Sequence, residues 1–65
     1  MTHMKIKFLI IDDDPSAVNV IKNYLQQIGN SELTISFNNA VDGWNFMKNN
    51  PVDVIFLDIN MPALD

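Results

Sequence analysis

Three apolar segments alternate with two amphipathic segments along the chain, and each has the length of one secondary-structure element. Residues 5–11 and 54–58 are rich in β-branched, aromatic and aliphatic side chains, which predicts two strands. The second has no polar side chain before its last residue, as in a strand buried on both faces. Residues 33–37 alternate apolar and polar side chains, which indicates a half-buried strand at a sheet edge. Residues 29–32 before it are predicted to form a turn.

Two helices are predicted between these strands. In residues 15–28 the apolar side chains recur at steps of three or four residues, as on one face of a helix. These side chains are Val18, Ile21, Leu25 and Ile28. Asp14 is suited to cap the start of this helix, and Gly29 to end it. Residues 40–48 have a weaker helical pattern, because their apolar side chains form no single stripe and Gly43 costs about 1 kcal/mol relative to alanine.

The predicted order of elements is β-α-β-α-β, which places the chain in the α/β class with parallel strands and right-handed crossovers. Residues 61–65 are predicted to begin a loop, and no further element follows them. We therefore expect the chain to be a piece of a longer fold. Residues 1–4, which contain a second methionine, are expected to be a tag or a disordered start.

The composition excludes several kinds of protein. The 65 residues include no cysteine, which excludes disulfides and thiolate metal sites and fits a cytoplasmic location. Eight acidic residues against four lysines give a formal net charge of −4, which argues against nucleic-acid binding and favours a cation site. No apolar run has the length of a membrane span, so neither a membrane partner nor a signal peptide is expected.

Acidic side chains follow two of the predicted strands at the point where each strand ends. Asp12 and Asp13 come after the first strand, and Asp58 ends the third. If these strands are neighbours, the three carboxylates meet at the carboxyl edge of the sheet, where α/β proteins bind ligands. They repel one another unless a cation is present, and oxygen ligands suit Mg²⁺. Asp58 is also a candidate nucleophile towards phosphorus, because carboxylates form acyl phosphates.

Two motifs in the chain resemble those of a known family. Residues 8–15, FLIIDDDP, and residues 56–62, FLDINMP, are together similar to the receiver domain of two-component response regulators. Residues 42–43 and 51–53 also fit the pattern of that family. The resemblance implies a truncated flavodoxin-like receiver fold, β-α-β-α-β, with parallel strands in the order 2-1-3. Residues 5–65 would then be the N-terminal half of a receiver domain, without its last two βα units.

The resemblance also implies a role for each acid. Asp58 would accept a phosphoryl group from a phosphohistidine on a sensor histidine kinase. Asp13 would bind Mg²⁺ directly and Asp12 directly or through water, and Asp58 with the backbone carbonyl of Asn60 would complete the protein ligands. Asp14 matches no metal position of the family. The chain would be a phosphoacceptor and not an enzyme, since any self-phosphorylation or autodephosphorylation would belong to the complete domain, and the signal would pass to an effector domain or a downstream protein.

Two functional residues of complete receivers have no counterpart in this chain. They are a serine or threonine that holds the phosphoryl group and a lysine that pairs with it. Lys5 and Lys7 are predicted at the opposite end of a strand, and Lys22 and Lys48 on helices, so the chain is expected to be impaired in phosphorylation. Without later strands, residues 54–57 would form an exposed edge, and we expect a homodimer or aggregation through it.

Two other functions remain open. Residues 12–16 partly resemble the Asp-x-Asp motif of haloacid-dehalogenase-type phosphatases, in which Asp12 would be the nucleophile and Asp14 the acid/base. That fold leaves residues 58–62 unexplained. The other function is a non-catalytic assembly module, in which the acids would bind metal without accepting a phosphoryl group.

Overall fold

A computed structural model describes residues 5–59 of the chain. Its elements are β1 (Ile6–Ile11), α1 (Pro15–Ile28), β2 (Ser31–Phe37), α2 (Ala40–Asn49) and β3 (Val54–Leu57). This order is the predicted β-α-β-α-β alternation. Neither α1 nor α2 combines the length and the hydropathy that a helix needs to cross a membrane. The predicted tag or disordered start at residues 1–4 lies outside the described residues.

The three strands form one parallel sheet with the order β2-β1-β3. Leu9 of β1 is paired with Ile35 of β2 on one side and with Ile55 of β3 on the other. The central position of β1 confirms the predicted strand order of a flavodoxin-like fold. It also makes β1 and β3 neighbours, which is the condition for their carboxyl ends to meet.

The core is built on the last four residues of β1, each of which is at most 5% exposed. Because side chains of a strand alternate between its faces, these residues contribute to two clusters. Phe8 and Ile10 pack with Val18 and Leu25 of α1. The second cluster contains Leu9 and Ile11 of β1 with side chains from β2, α2 and the loop after it. Its other members are Ile35, Phe37, Ala40, Phe46, Met47 and Val52.

The helix α1 has the predicted limits, because local signals define both of its ends. The Asp14 carboxylate accepts a hydrogen bond from the Ser16 N–H, and Gly29 adopts the left-handed conformation (φ 80°). The predicted buried face is correct for Val18 and Leu25 but wrong for Ile28, which is 54% exposed. Ile28 is the last residue of the helix and is absent from the cluster that α1 forms with β1.

The strand β2 begins at Ser31, so the prediction of a turn over residues 29–32 is wrong for its second half. The cause is a set of contacts that no local pattern contains. The Ile6 N–H donates to the Asn30 carbonyl (2.7 Å), and the Ser31 hydroxyl donates to the Leu25 carbonyl (3.4 Å). A register shift between Ile6 and Lys7 extends the pairing to Ser31.

The prediction that the third strand is buried on both faces is also wrong. In β3, Val54, Ile55 and Leu57 are 37%, 45% and 50% exposed. Within residues 5–59, β3 is hydrogen-bonded only to β1 and forms an edge of the sheet, so its faces are incompletely covered. Phe56 is half-buried and packs against the core, with its ring centroid 6.0 Å from that of Phe8.

Gly43 of α2 lies against the side chain of Ile11 in β1. A Cβ atom at this position would be 2.5 Å from Cδ1 and 2.9 Å from Cγ1 of Ile11. Ile11 is buried and β-branched, so its side chain has little freedom to move away. The glycine that weakens the helical pattern of the sequence is therefore what allows α2 to pack on β1.

We expect Gly43→Ala to destabilise the fold by about 1–2 kcal/mol, because overpacking against Ile11 outweighs the gain in helix propensity. Urea denaturation measures the change. Asn45→Ala, at an exposed position of the same helix, is the control and should be neutral or slightly stabilising. In an Ile11→Val background, which lacks Cδ1, the cost of Gly43→Ala should shrink. A stabilisation by Gly43→Ala equal to that of Asn45→Ala would contradict this account.

Candidate functional site

The site lies at the carboxyl edge of the sheet, where β1 and β3 end side by side. Backbone hydrogen bonds hold the first residue after each strand. The Asp12 N–H donates to the Phe37 carbonyl (3.0 Å), and the Asp58 N–H donates to the Ile11 carbonyl (2.9 Å). Asp12 and Asp58 are therefore anchored to the sheet, although they lie 46 positions apart in the sequence.

Asp12, Asp13 and Asp58 come together as the sequence predicts. Each contributes a carboxylate oxygen, and these oxygens all lie within 4.8 Å of one another. Asp12 and Asp58 are half-buried, whereas Asp13 is exposed. Three negative charges at this spacing repel one another, and partial burial reduces the screening of that repulsion by water.

The two hydrogen bonds that follow Asp12 order the loop between β1 and α1. An Asp12 carboxylate oxygen accepts from the Asp14 N–H (2.9 Å). The Asp14 carboxylate accepts in turn from the Ser16 N–H (3.0 Å). Asp14 thus has the capping role predicted for it, while Asp12 and Asp13 contribute to the acidic cluster.

The chemistry of this cluster fits a hard divalent cation. All three side chains offer only oxygen, which is the ligand type of Mg²⁺, and Mg²⁺ binds a few carboxylates while it keeps several waters. The fourth predicted ligand, the backbone carbonyl of Asn60, lies outside the described residues. The arrangement of half-buried carboxylates is also suited to nucleophilic chemistry at Asp58 once a cation reduces the repulsion.

A groove of about 480 Å³ begins at Asp12 and Asp13 and runs between α1 and the end of β2. Its polar lining includes four side chains to which sequence reasoning assigned no role in the site: Asn19, Lys22, Ser36 and Asn38. The alternation of β2 placed Ser36 near the carboxyl edge, but only the register, which pairs it with Ile10, shows that it borders the acids. The predicted placement of Lys22 on a helix is correct.

At the opposite edge of the sheet, two hydrogen bonds join Lys7 to Asp53. The Lys7 N–H donates to the Asp53 carboxylate (2.9 Å), and the Asp53 N–H donates to the Lys7 carbonyl (2.8 Å). Asp53 therefore caps the start of β3. Lys5 and Lys7 lie at this amino edge, away from the acidic cluster, as predicted.

Comparison with known proteins agrees with this geometry. The model of the response regulator receiver domain family matches residues 8–65. The chain is 35% identical over 65 residues, all of its length, to Protein MrkE of Klebsiella pneumoniae. It is 36% identical over 62 residues (95% of the chain) to Response regulator GtcR of Aneurinibacillus migulanus. It is 39% identical over 59 residues (91% of the chain) to Transcriptional regulatory protein BtsR of Escherichia coli.

These relatives are much longer proteins, and the chain spans 24% of the length of Protein MrkE and 25% of the other two. No solved structure matches the chain. The family match includes both motifs of the acidic cluster, and the parallel sheet with the order β2-β1-β3 is the fold expected for it. The chain belongs to the response regulator receiver domain family of two-component signalling.

Proposed function

We propose that Asp58 accepts a phosphoryl group from a phosphohistidine on a sensor histidine kinase. The observation that supports this role most strongly is the position of Asp58 at the carboxyl end of β3, within 4.8 Å of carboxylate oxygens of Asp12 and Asp13. In parallel α/β sheets this edge is the ligand-binding edge. A phosphorylated partner can reach a nucleophile at this edge from outside the fold, since Asp58 is half-buried and not enclosed.

The transfer is a displacement at phosphorus. A carboxylate oxygen of Asp58 forms the new P–O bond, and the P–N bond of the phosphohistidine breaks. The electron pair of that bond remains on the imidazole nitrogen, which takes up a proton from solvent. The chain keeps the phosphoryl group as an acyl phosphate, so it is a phosphoacceptor and not a catalyst with turnover.

The negative charge of the acidic cluster requires a cation for this step, and we assign that role to Mg²⁺. Asp12, Asp13 and Asp58 would hold the ion, and the carbonyl of Asn60 stays a predicted fourth ligand. When bound, Mg²⁺ supplies positive charge that offsets the repulsion between the carboxylates and the incoming phosphoryl oxygens. Asp12 and Asp13 contribute negative charge that binds the cation next to the nucleophile.

The phosphatase alternative, with Asp12 as nucleophile and Asp14 as acid/base, is less well supported. The Asp14 carboxylate accepts from the Ser16 N–H and caps α1, so one of its oxygens is engaged at the helix end. The family match also covers residues 56–62, which the phosphatase motif leaves unexplained. In the proposed role the chain is cytoplasmic, and its signal passes to an effector domain or a downstream protein.

Binding of Mg²⁺ should raise the melting temperature of the chain. At ten times the dissociation constant, the ion stabilises the folded state by about 1.4 kcal/mol, which corresponds to several degrees. Asp13→Asn should raise the melting temperature without Mg²⁺, because it removes one repelling charge, and should weaken the response to the ion. Glu32→Gln removes an equal charge from β2 and serves as the control. An equal response of all three proteins would argue against a site at the acidic cluster.

Incubation with Mg²⁺ and acetyl phosphate should add the mass of one phosphoryl group to the chain, as measured by intact-mass spectrometry. Asp58→Asn should abolish the adduct, because the amide is a poor nucleophile. The matched control is Asp53→Asn at the other end of β3, which should still form the adduct. Adduct formation by Asp58→Asn would refute the proposed role of Asp58. Absence of the adduct in a folded wild-type chain that binds Mg²⁺ would show that these 65 residues do not suffice for phosphorylation.

A second proposal is that this chain self-associates through β3, as an assembly module would. The two sheet edges differ in how well they are protected against pairing with another chain. The edge strand β2 includes the charged Glu32 and an irregular register, both of which disfavour edge-to-edge pairing. The segment Val54–Leu57 contains no charge and pairs with β1 in regular register. It also borders an apolar groove of about 510 Å³ that contains Trp44 and Met47 of α2.

Light scattering at high concentration should report a dimer or a larger species for the wild-type chain. Ile55→Lys should shift it to monomer, because a lysine at an edge strand opposes pairing and places a charge in the apolar groove. Val20→Lys, at a similarly exposed apolar position of α1, should leave the association unchanged. A folded wild-type chain that stays monomeric would rule out this mode of assembly.

A further inference from the structure

We propose that Asp14 is a positioning residue for the metal site, although it is not itself a ligand. Its cap of α1 fixes the backbone N–H that orients the Asp12 carboxylate. The inference rests on the proposed function, because it concerns how this chain prepares the acidic cluster for Mg²⁺. It adds a residue outside the set of proposed ligands.

Three hydrogen bonds connect the start of α1 to Asp12. The Ser16 N–H donates to the Asp14 carboxylate (3.0 Å), and the Val18 N–H donates to the Asp14 carbonyl (3.1 Å). The Asp14 N–H, on the other side of the same residue, donates to the Asp12 carboxylate (2.9 Å). Asp14 is thus bonded forward to the helix by its side chain and carbonyl, and backward to Asp12 by its amide.

The side chain of Asp14 matters because the backbone alone leaves its conformation incompletely determined. Pro15 excludes the helical region for the residue before it but permits a broad extended region. Asp14 lies at φ −100° and ψ 110° within that region. The bond from Ser16 to the Asp14 carboxylate selects this conformation, and with it the direction of the Asp14 N–H.

The orientation of Asp12 affects two of the three carboxylates. A hydrogen bond to one oxygen restricts rotation of the Asp12 carboxylate and so fixes the direction of its other oxygen. Both neighbours of Asp13 have hydrogen-bonded backbone N–H groups. The Asp12 N–H donates to the Phe37 carbonyl, and the Asp14 N–H donates to the Asp12 carboxylate. The same contacts therefore limit the backbone freedom of Asp13, so loss of the cap disturbs two ligands before any ion binds.

Two substitutions separate the effect of the Asp14 charge from the effect of its helix cap. Asp14→Asn keeps a side-chain oxygen that accepts from the Ser16 N–H, but it removes the negative charge. Asp14→Ala removes both. Ala17→Gly weakens the same first turn of α1 through helix propensity and leaves Asp14 and its hydrogen-bond partners intact, so it controls for general loss of helix stability.

Calorimetric titration of the wild-type chain and the three variants with MgCl₂ at 0.15 M salt tests the inference. We expect Asp14→Ala to weaken Mg²⁺ binding about fivefold, the full equilibrium effect of a lost N-cap. Asp14→Asn and Ala17→Gly should remain within about twofold of wild type, because salt screens the exposed charge of Asp14. Equal weakening by Asn and Ala, equal weakening by Ala17→Gly, or unchanged binding by Asp14→Ala would each overturn the positioning role.

A second measurement does not depend on the metal. In proton NMR, the amide of residue 14 should show the downfield shift and slow exchange of a hydrogen bond to a carboxylate in wild type and Asp14→Asn. Both should be lost in Asp14→Ala. If the wild-type chain takes up no Mg²⁺, the proposed metal is wrong, and this signal alone decides whether Asp14 orients Asp12. An amide signal that is unchanged in Asp14→Ala would overturn the inference.

Discussion

The position of β1 between two parallel strands is the constraint on which the rest of the structure depends. Both edges of β1 are hydrogen-bonded, and its last four side chains are buried on alternate faces. The helices α1 and α2 are placed by those two faces. Because parallel strands end at the same edge, this arrangement also forces Asp12 and Asp58 together. The fold and the mutual repulsion of the acidic cluster therefore have the same cause.

That repulsion distinguishes the acidic cluster from the other carboxylates of the sheet. Carboxylates within 4.8 Å of one another repel, and a cation bound between them would offset that repulsion. The amino edge shows the contrast, since the Asp53 carboxylate there accepts from the Lys7 N–H and stabilises the end of the strand. The amino edge thus pairs its carboxylate with a backbone N–H, whereas the carboxyl edge brings three carboxylates together.

A structural feature could be predicted from the sequence when neighbouring residues cause it. The ends of α1 were predicted correctly, because Asp14 and Gly29 act on neighbouring residues. The start of β2 was not, since it depends on the pairing of Ile6 with Asn30 and Ser31, which lie far from it along the chain. The burial of β3 was overestimated, because an apolar sequence shows that a strand can be buried but not which other elements cover it. The meeting of the three acids was predictable once β1 and β3 were expected to be neighbours, because parallel neighbouring strands end at the same edge.

The two halves of the site also differ in whether local or long-range contacts position them. This difference governs how each half responds to substitution. Asp12 and Asp13 are oriented by a short relay that ends at Ser16, so substitutions near the start of α1 act on their direction. Asp58 is positioned by the pairing of β3 with β1, so its distance from the other acids follows from the sheet. Under the proposed function, a change in the loop would alter the geometry of ion binding, whereas a change in strand pairing would alter whether nucleophile and ion meet. The proposed transfer to Asp58 would depend on both, because the cation would have to be bound beside the oxygen that attacks phosphorus.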